Sequence, residues 1–186
     1  METQASDADL LRRMEAGDEG ALTALYRRRH AAVYRYALHM SGSSAVAEDV
    51  TQDVFLELMR NPRGFDPERG PLASYLYGVA RHLVLRAAGR VRCDVPVGES
   101  AAAGDALEDL TRREAIGAVR RAVLSLPARY REVVVLCDLE EMDYAGAAEA
   151  LGCAVGTVRS RLHRARALLA GKLRPRQGVR HELSGV

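Results

Sequence analysis

The sequence predicts an all-α protein: two small helical domains joined by a flexible acidic linker, the C-terminal one a helix-turn-helix. Three observations lead there. The 186-residue chain is 48% hydrophobic but only 5% aromatic, with no Trp and two Phe, so its core is aliphatic. Leu, Val and Ala dominate, Ile occurs once (Ile116), and the β-branched or aromatic runs that build strands are rare. Apolar residues instead recur at steps of three and four, in two blocks separated by VRCDVPVGESAAAGDAL, which is small, acidic and aperiodic.

The first block opens with helix over residues 7–39. Asp7 or Asp9 is expected to cap a turn carrying Leu10, Leu11 and Met14, and Gly17-Asp18 to break it. A longer amphipathic helix follows, with Leu22, Leu25, Tyr26, Val33, Tyr36 and Ala37 at helical spacing, up to the turn SGSS at 41–44. AVAEDVTQDVFLELMR (45–60) then places Val46, Val50, Val54 and Leu58 on one stripe, with Asp49, Gln52, Asp53 and Glu57 beside or opposite it. NPRGFDPERGP (61–71) is rich in Pro and Gly and reads as a loop. LASYLYGVARHLVLRAAGR (72–90) resumes helix, Leu72, Leu76, Val79 and Leu83 facing inward and Arg81, Arg86 and Arg90 left for another surface.

The second block begins near Leu110 with TRREAIGAVRRAVLSL. Pro127 starts the next helix, ARYREVVVLCDL, and DYAGAAEAL and AVGTVRSRLHRARALLAGKL flank Gly152. The tail RPRQGVRHELSGV is expected to be disordered. These boundaries divide the chain into domains at 7–90 and 110–173, a linker at 91–109 and a tail at 174–186.

A net charge of +2 conceals strong segregation. Thr157 to Arg180 holds eight basic residues and no acid, while Asp94 to Asp109 holds five acids and no base. Cys93, Cys137 and Cys153 are far apart, without CxxC or Cys/His ligand spacing, and read as reduced thiols. No metal or cofactor is expected. The N-terminus is polar and acidic, unlike a signal peptide, and no apolar run approaches the roughly 18 residues of a membrane span. A cytoplasmic protein is the expectation. The five histidines are scattered, with no paired carboxylates, nucleophile motif or Gly-rich phosphate loop, which argues against an enzyme.

Residues 143–163 fit a helix-turn-helix. Ala147, Ala148 and Leu151 form a small-residue face, Gly152 supplies the turn, and Val155, Val158, Leu162, Ala165 and Leu169 repeat at 3,4,3,4 spacing as one buried seam. Thr157, Arg159, Ser160, Arg161, His163, Arg164 and Arg166 cover the rest. A helix seated by one apolar stripe and otherwise clad in guanidinium and hydroxyl groups suits a major groove. The competing reading is a solvated basic face, but such faces usually interleave acids for i,i+4 support, and here acid is absent.

The wording GTVRSRLHRAR, preceded by LPARYREVVVLCDL, resembles the promoter-binding domain of bacterial RNA polymerase sigma factors of the extracytoplasmic-function (ECF) branch. AEDVTQDVFLEL, LASYLYGVARHLV and MEAGDEGALTALYRRR are similar to that family's core-binding segment, −10 helix and opening helices, so the resemblance runs over about residues 9–172. It implies that Asp49, Gln52, Asp53 and Phe55 dock on the clamp helices of the polymerase β′ subunit, Phe55 being equally readable as core. It implies −10 recognition of unpaired strand by Tyr75, Tyr77, Arg81, His82, Arg86 and Arg90, with Tyr75 equally readable as packing. It implies −35 recognition by Tyr144, Gly156, Thr157, Arg159, Ser160, Arg161, His163 and Arg164. Core polymerase (β′ clamp helices and β flap), single- and double-stranded promoter DNA and an anti-sigma factor are the implied partners. The acidic linker would thread toward the polymerase active centre or serve as a plain tether. This chain departs from the family pattern at Tyr75 (commonly Trp), His82 (often Asn), Cys137 (Arg in some relatives) and Gly146-Ala147 (usually Glu-Ile). The alternative is a stand-alone helix-turn-helix regulator using only residues 110–172.

Overall fold

The computed structural model describes residues 5–90 and 106–174, with side chains excepted at 90 and 106–112. Eight α-helices follow in order among the described residues: α1 (Asp7–Glu15), α2 (Glu19–Ser41), α3 (Ser44–Arg60), α4 (Leu72–Arg90), α5 (Ala106–Leu124), α6 (Ala128–Val134), α7 (Tyr144–Leu151) and α8 (Val155–Leu173). The tail expected at 174–186 and most of the linker expected at 91–109 lie outside the described residues. The exceptions are Arg174, which caps α8, and residues 106–109, already the first turn of α5.

Local chemistry accounts for each boundary. The N-cap of α1 is Ser6, one residue ahead of the expected aspartates. Its hydroxyl accepts from the Asp9 amide while the Asp9 carboxylate takes the Ser6 amide, a reciprocal capping box. Asp18 caps α2 by accepting from the amides of Gly20 and Ala21. Gly42 closes α2 at φ 75°, a left-handed conformation that costs glycine little, and Ser43 starts α3. A single 3-10 turn, Pro62–Gly64, interrupts the Pro/Gly loop. Past α6 the chain unwinds into a wider, π-helical stretch, Val135–Leu139, where the Glu140 amide reaches back to the Val135 carbonyl at 2.9 Å.

The stripes expected from periodicity are buried: Val50, Val54 and Leu58 on α3, and Val158, Leu162 and Ala165 on α8. On α4 the buried positions are Leu72, Ser74, Leu76, Tyr77, Ala80 and Val84, with Val79 and Leu83 only half-buried, because α4 packs against α2, α3 and α7. Tyr26 departs further from expectation. It shares the helical spacing of the α2 core yet is 43% exposed, since it lies along an open groove between α2 and α3.

A single hydrophobic core runs through both blocks, because α4 of the first packs against α7 of the second. The contact is close: a methyl group built on Gly78 would lie 3.5 Å from the Ala150 carbonyl oxygen, and one on Gly146 3.1 Å from the Ser74 hydroxyl. Arg131 ties the blocks together from within. Its guanidinium donates to the Met40 carbonyl at 2.5 Å, to the Leu126 carbonyl at 3.1 Å and to the Leu124 carbonyl, neutralising the negative ends of α2 and α5 at once.

His39, half-buried in the last turn of α2, adds pH dependence. Burial first, then the Arg120 charge, holds its pKa below the ordinary histidine value, against an opposing pull from Glu140. The unfolded chain therefore takes up this proton at higher pH than the folded one. The stability that neutral His39 contributes is complete above about pH 6.5 and is lost as pH falls through the depressed folded value. Thermal unfolding between pH 7.5 and 5.5 should show Tm dropping with pH, and His39→Gln should flatten that slope.

Candidate nucleic-acid interface

On α8 the apolar seam faces α6 and α7, which leaves Gly156, Arg159, Ser160, His163 and Arg164 exposed and Thr157 and Arg161 half-buried on the flank. Tyr144, the first residue of α7, joins them: the Arg159 guanidinium lies 5.6 Å from its ring centroid, which restrains a long side chain by a cation–π contact. The Ser160 hydroxyl donates to the Thr157 carbonyl at 3.1 Å, so its oxygen faces outward as an acceptor. The eight residues expected on this face thus lie together, along the first half of α8 and the start of α7.

Two neighbours alter the set. Arg166 donates twice to Asp138 (2.6 and 3.2 Å), a bidentate pair that removes it from the free cations although it lies on the same helix. Tyr130 enters the face without having been expected there. Its phenol hydrogen-bonds Arg164, which holds its pKa below the usual value, and the Arg129 guanidinium sits 4.8 Å over its ring. The sequence signal for it was only the pair Arg129-Tyr130 after a helix-starting proline. Cys137, inside the π-helical stretch, is a free thiol whose pKa burial pushes up to about 11, so it stays protonated and adds no charge here.

A second cluster of charged and aromatic side chains lies along α4. Tyr75, His82 and Arg86 line one cleft of about 640 Å³, together with Phe65 and Asp66 of the preceding loop. Tyr75 meets Phe65 edge-on at 5.9 Å, and burial, then the Glu57 charge, raises its phenol pKa. Tyr77 and Arg81 do not share this cleft. Tyr77 is buried and its hydroxyl donates to Glu140 at 3.2 Å, while the half-buried Arg81 donates to Glu132 at 2.8 Å. Arg90 is the last residue of α4.

The acidic set sits on α3. Asp49, Gln52 and Asp53 are exposed, whereas Phe55 is buried and touches Tyr26 edge-on at 4.8 Å. Gln52 and Phe55 border a groove of about 880 Å³ between α2 and α3; Asp53 borders the α4 cleft instead. Tyr26, stacked on His30 at 4.8 Å, and the half-exposed Met59 give the groove an apolar floor; of the two, periodicity had assigned Tyr26 to core. Among the described residues no group of three or more His, Cys, Asp or Glu is placed to hold a metal ion. No helix among them is long and apolar enough to cross a membrane.

Residues 25–92 match the family described as Sigma-70 region 2, and residues 116–169 match Sigma-70, region 4. The chain is similar to the ECF RNA polymerase sigma factor SigM of Mycobacterium tuberculosis, 34% identical over 90% of this chain and 84% of SigM. It is also 34% identical to SigE of Mycolicibacterium smegmatis over 81% of this chain, but spans only 62% of that longer protein. Among solved structures, CnrH in complex with the cytosolic domain of CnrY matches with a TM-score of 0.71 and 26% identity, covering 90% of this chain and 96% of that one.

Gly156 offers a test of the α8 face. It stands exposed in the first turn, and a methyl group there would meet no protein atom within 4 Å, so the fold does not require glycine. Gly156→Ala should raise Tm, by up to about 1 kcal/mol of helix propensity, while weakening duplex binding through lost close approach of the backbone. Calorimetry and fluorescence anisotropy measure the two effects separately; unchanged duplex affinity would remove Gly156 from the contact.

Proposed function

The chain belongs to the ECF RNA polymerase sigma factors, and from that premise we propose that it binds core polymerase and directs it to promoters through a −10 and a −35 element. Sigma factors are not enzymes, and this one acts by binding. The observation that carries the reading is that the exposed cations of α8 and the aromatic, mixed-charge cleft of α4 lie in separate matched regions, with Asp53 of the acidic α3 face bordering that cleft. A stand-alone regulator would need only residues 110–172; the α3 face and the α4 cleft favour the sigma reading.

In this reading α8 enters the −35 major groove. Arg159 is restrained by the Tyr144 ring, which lowers the ordering cost of meeting base edges or phosphates, and Arg164 stands exposed further along the helix. The α4 cleft takes the unpaired −10 strand. Tyr75 and Phe65 offer a base a face to stack on, His82 and Arg86 attract the backbone, and Asp66 provides an acceptor for an exocyclic amine. Asp49, Gln52 and Asp53 meet basic clamp helices of the β′ subunit, and the Tyr26–Phe55–Met59 floor supplies the apolar centre such an interface needs. The second domain is assigned to the β flap. An anti-sigma partner is included in the proposal because CnrH, similar over nearly its whole length, is in complex with the cytosolic domain of CnrY. Cytoplasmic location follows from the need to meet polymerase.

Run-off transcription with core polymerase on a genomic template library tests the whole. Start sites absent with core alone should appear on adding the protein; their absence would sink the sigma reading. Arg159→Ala/Arg164→Ala should abolish promoter use while leaving core binding intact. Each lost phosphate contact should also reduce the salt slope of duplex binding by about 1.

A further inference from the structure

Two of the six residues assigned to −10 recognition are already engaged inside the molecule. Arg81 donates to Glu132, whose side chain is 3% exposed. Tyr77 donates to Glu140, 2% exposed, which also receives two bonds from Arg35 at 2.7 and 3.1 Å. At the mouth of the α4 cleft a third acid of the second domain, Glu149, pairs with Arg69 at 3.3 Å. Every one of these carboxylates comes from the second domain, and every partner is a cation or phenol of the first. Resting on the assignment of α4 to the −10 strand, we propose that Glu132, Glu140 and Glu149 act as an internal stand-in for DNA phosphates, holding the chain closed and unable to take the −10 strand.

The helix crossing makes this arrangement possible. Ser74 and Gly78 of α4 lie against Gly146 and Ala150 of α7, and only such small residues let the backbones approach to the distances seen. A Cβ on Gly146 would already crowd the Ser74 hydroxyl of α4 at 3.1 Å. The closed state is also built to be reversible. The Ser74 and Tyr36 hydroxyls are buried without a hydrogen-bond partner, a cost relieved when water enters. Each buried carboxylate is stable only while paired, so any competitor for Arg81 and Tyr77 weakens the whole contact. The α8 face, by contrast, stays exposed when the domains are closed. Closure thus separates the two DNA contacts: −35 duplex remains accessible and the −10 strand does not.

Neutralising the two buried acids tests this in the full chain: Glu132→Gln/Glu140→Gln keeps their size and removes the charges that stand in for phosphate. Small-angle scattering should show it expanded, and its affinity for a single-stranded −10 oligonucleotide should rise. An unchanged radius of gyration or unchanged affinity overturns the proposal. Silence of the native chain in run-off transcription would instead count against the sigma reading.

Discussion

Two carboxylates, Glu132 and Glu140, constrain how the halves of this molecule meet. Both side chains are almost wholly out of water, and an ionised carboxylate there is tolerable only with donors at hand. The second domain supplies none of the donors seen; Arg81, Arg35 and Tyr77 come from α2 and α4 of the first. The close crossing of α4 on α7, the burial of Tyr77 and the reach of Arg131 across to the end of α2 are consistent with that pairing. Interior ion pairs are poor sources of net stability and strong sources of specificity of arrangement. That matches their place here, at a boundary between two units with separate tasks.

The cations of the chain sort by the same rule. Those with an acid in reach are structural: Arg28 and Arg29 clasp Asp7 and fasten α1 to α2, and Arg166 is held by Asp138. Arg159, steered by the Tyr144 ring instead of an acid, keeps its charge uncompensated and faces outward. A ring orients a guanidinium without neutralising it, which suits a side chain meant for a phosphate or a guanine edge. The α4 cleft follows the opposite plan, mixing Asp66 and Glu149 with His82 and Arg86.

Helix positions, caps and seams were legible in the sequence because they depend on neighbours within four residues. The Val158–Leu162–Ala165 seam, the Gly152 turn at φ 61° and the breaks at Gly17-Asp18 and Gly42 all lie where periodicity and turn chemistry put them. The α8 face was legible for the same reason: seating one side of a helix determines what the other side shows. Periodicity erred at Tyr26, since helical spacing marks a face and cannot say whether another helix will cover it. It was likewise silent on Tyr130, whose partner Arg164 lies on a different helix.

By itself, then, the sequence determined the fold class, the helix-turn-helix, the segregation of charge and the family. Only the tertiary structure decided which of those charges are free. The contacts that settle it join residues 51, 63 and 105 positions apart, as in Arg81–Glu132, Tyr77–Glu140 and Arg35–Glu140. No local pattern encodes such pairs. They arise where two separately patterned surfaces meet, and burial there turns an acid that would be commonplace in water into one that requires a particular partner.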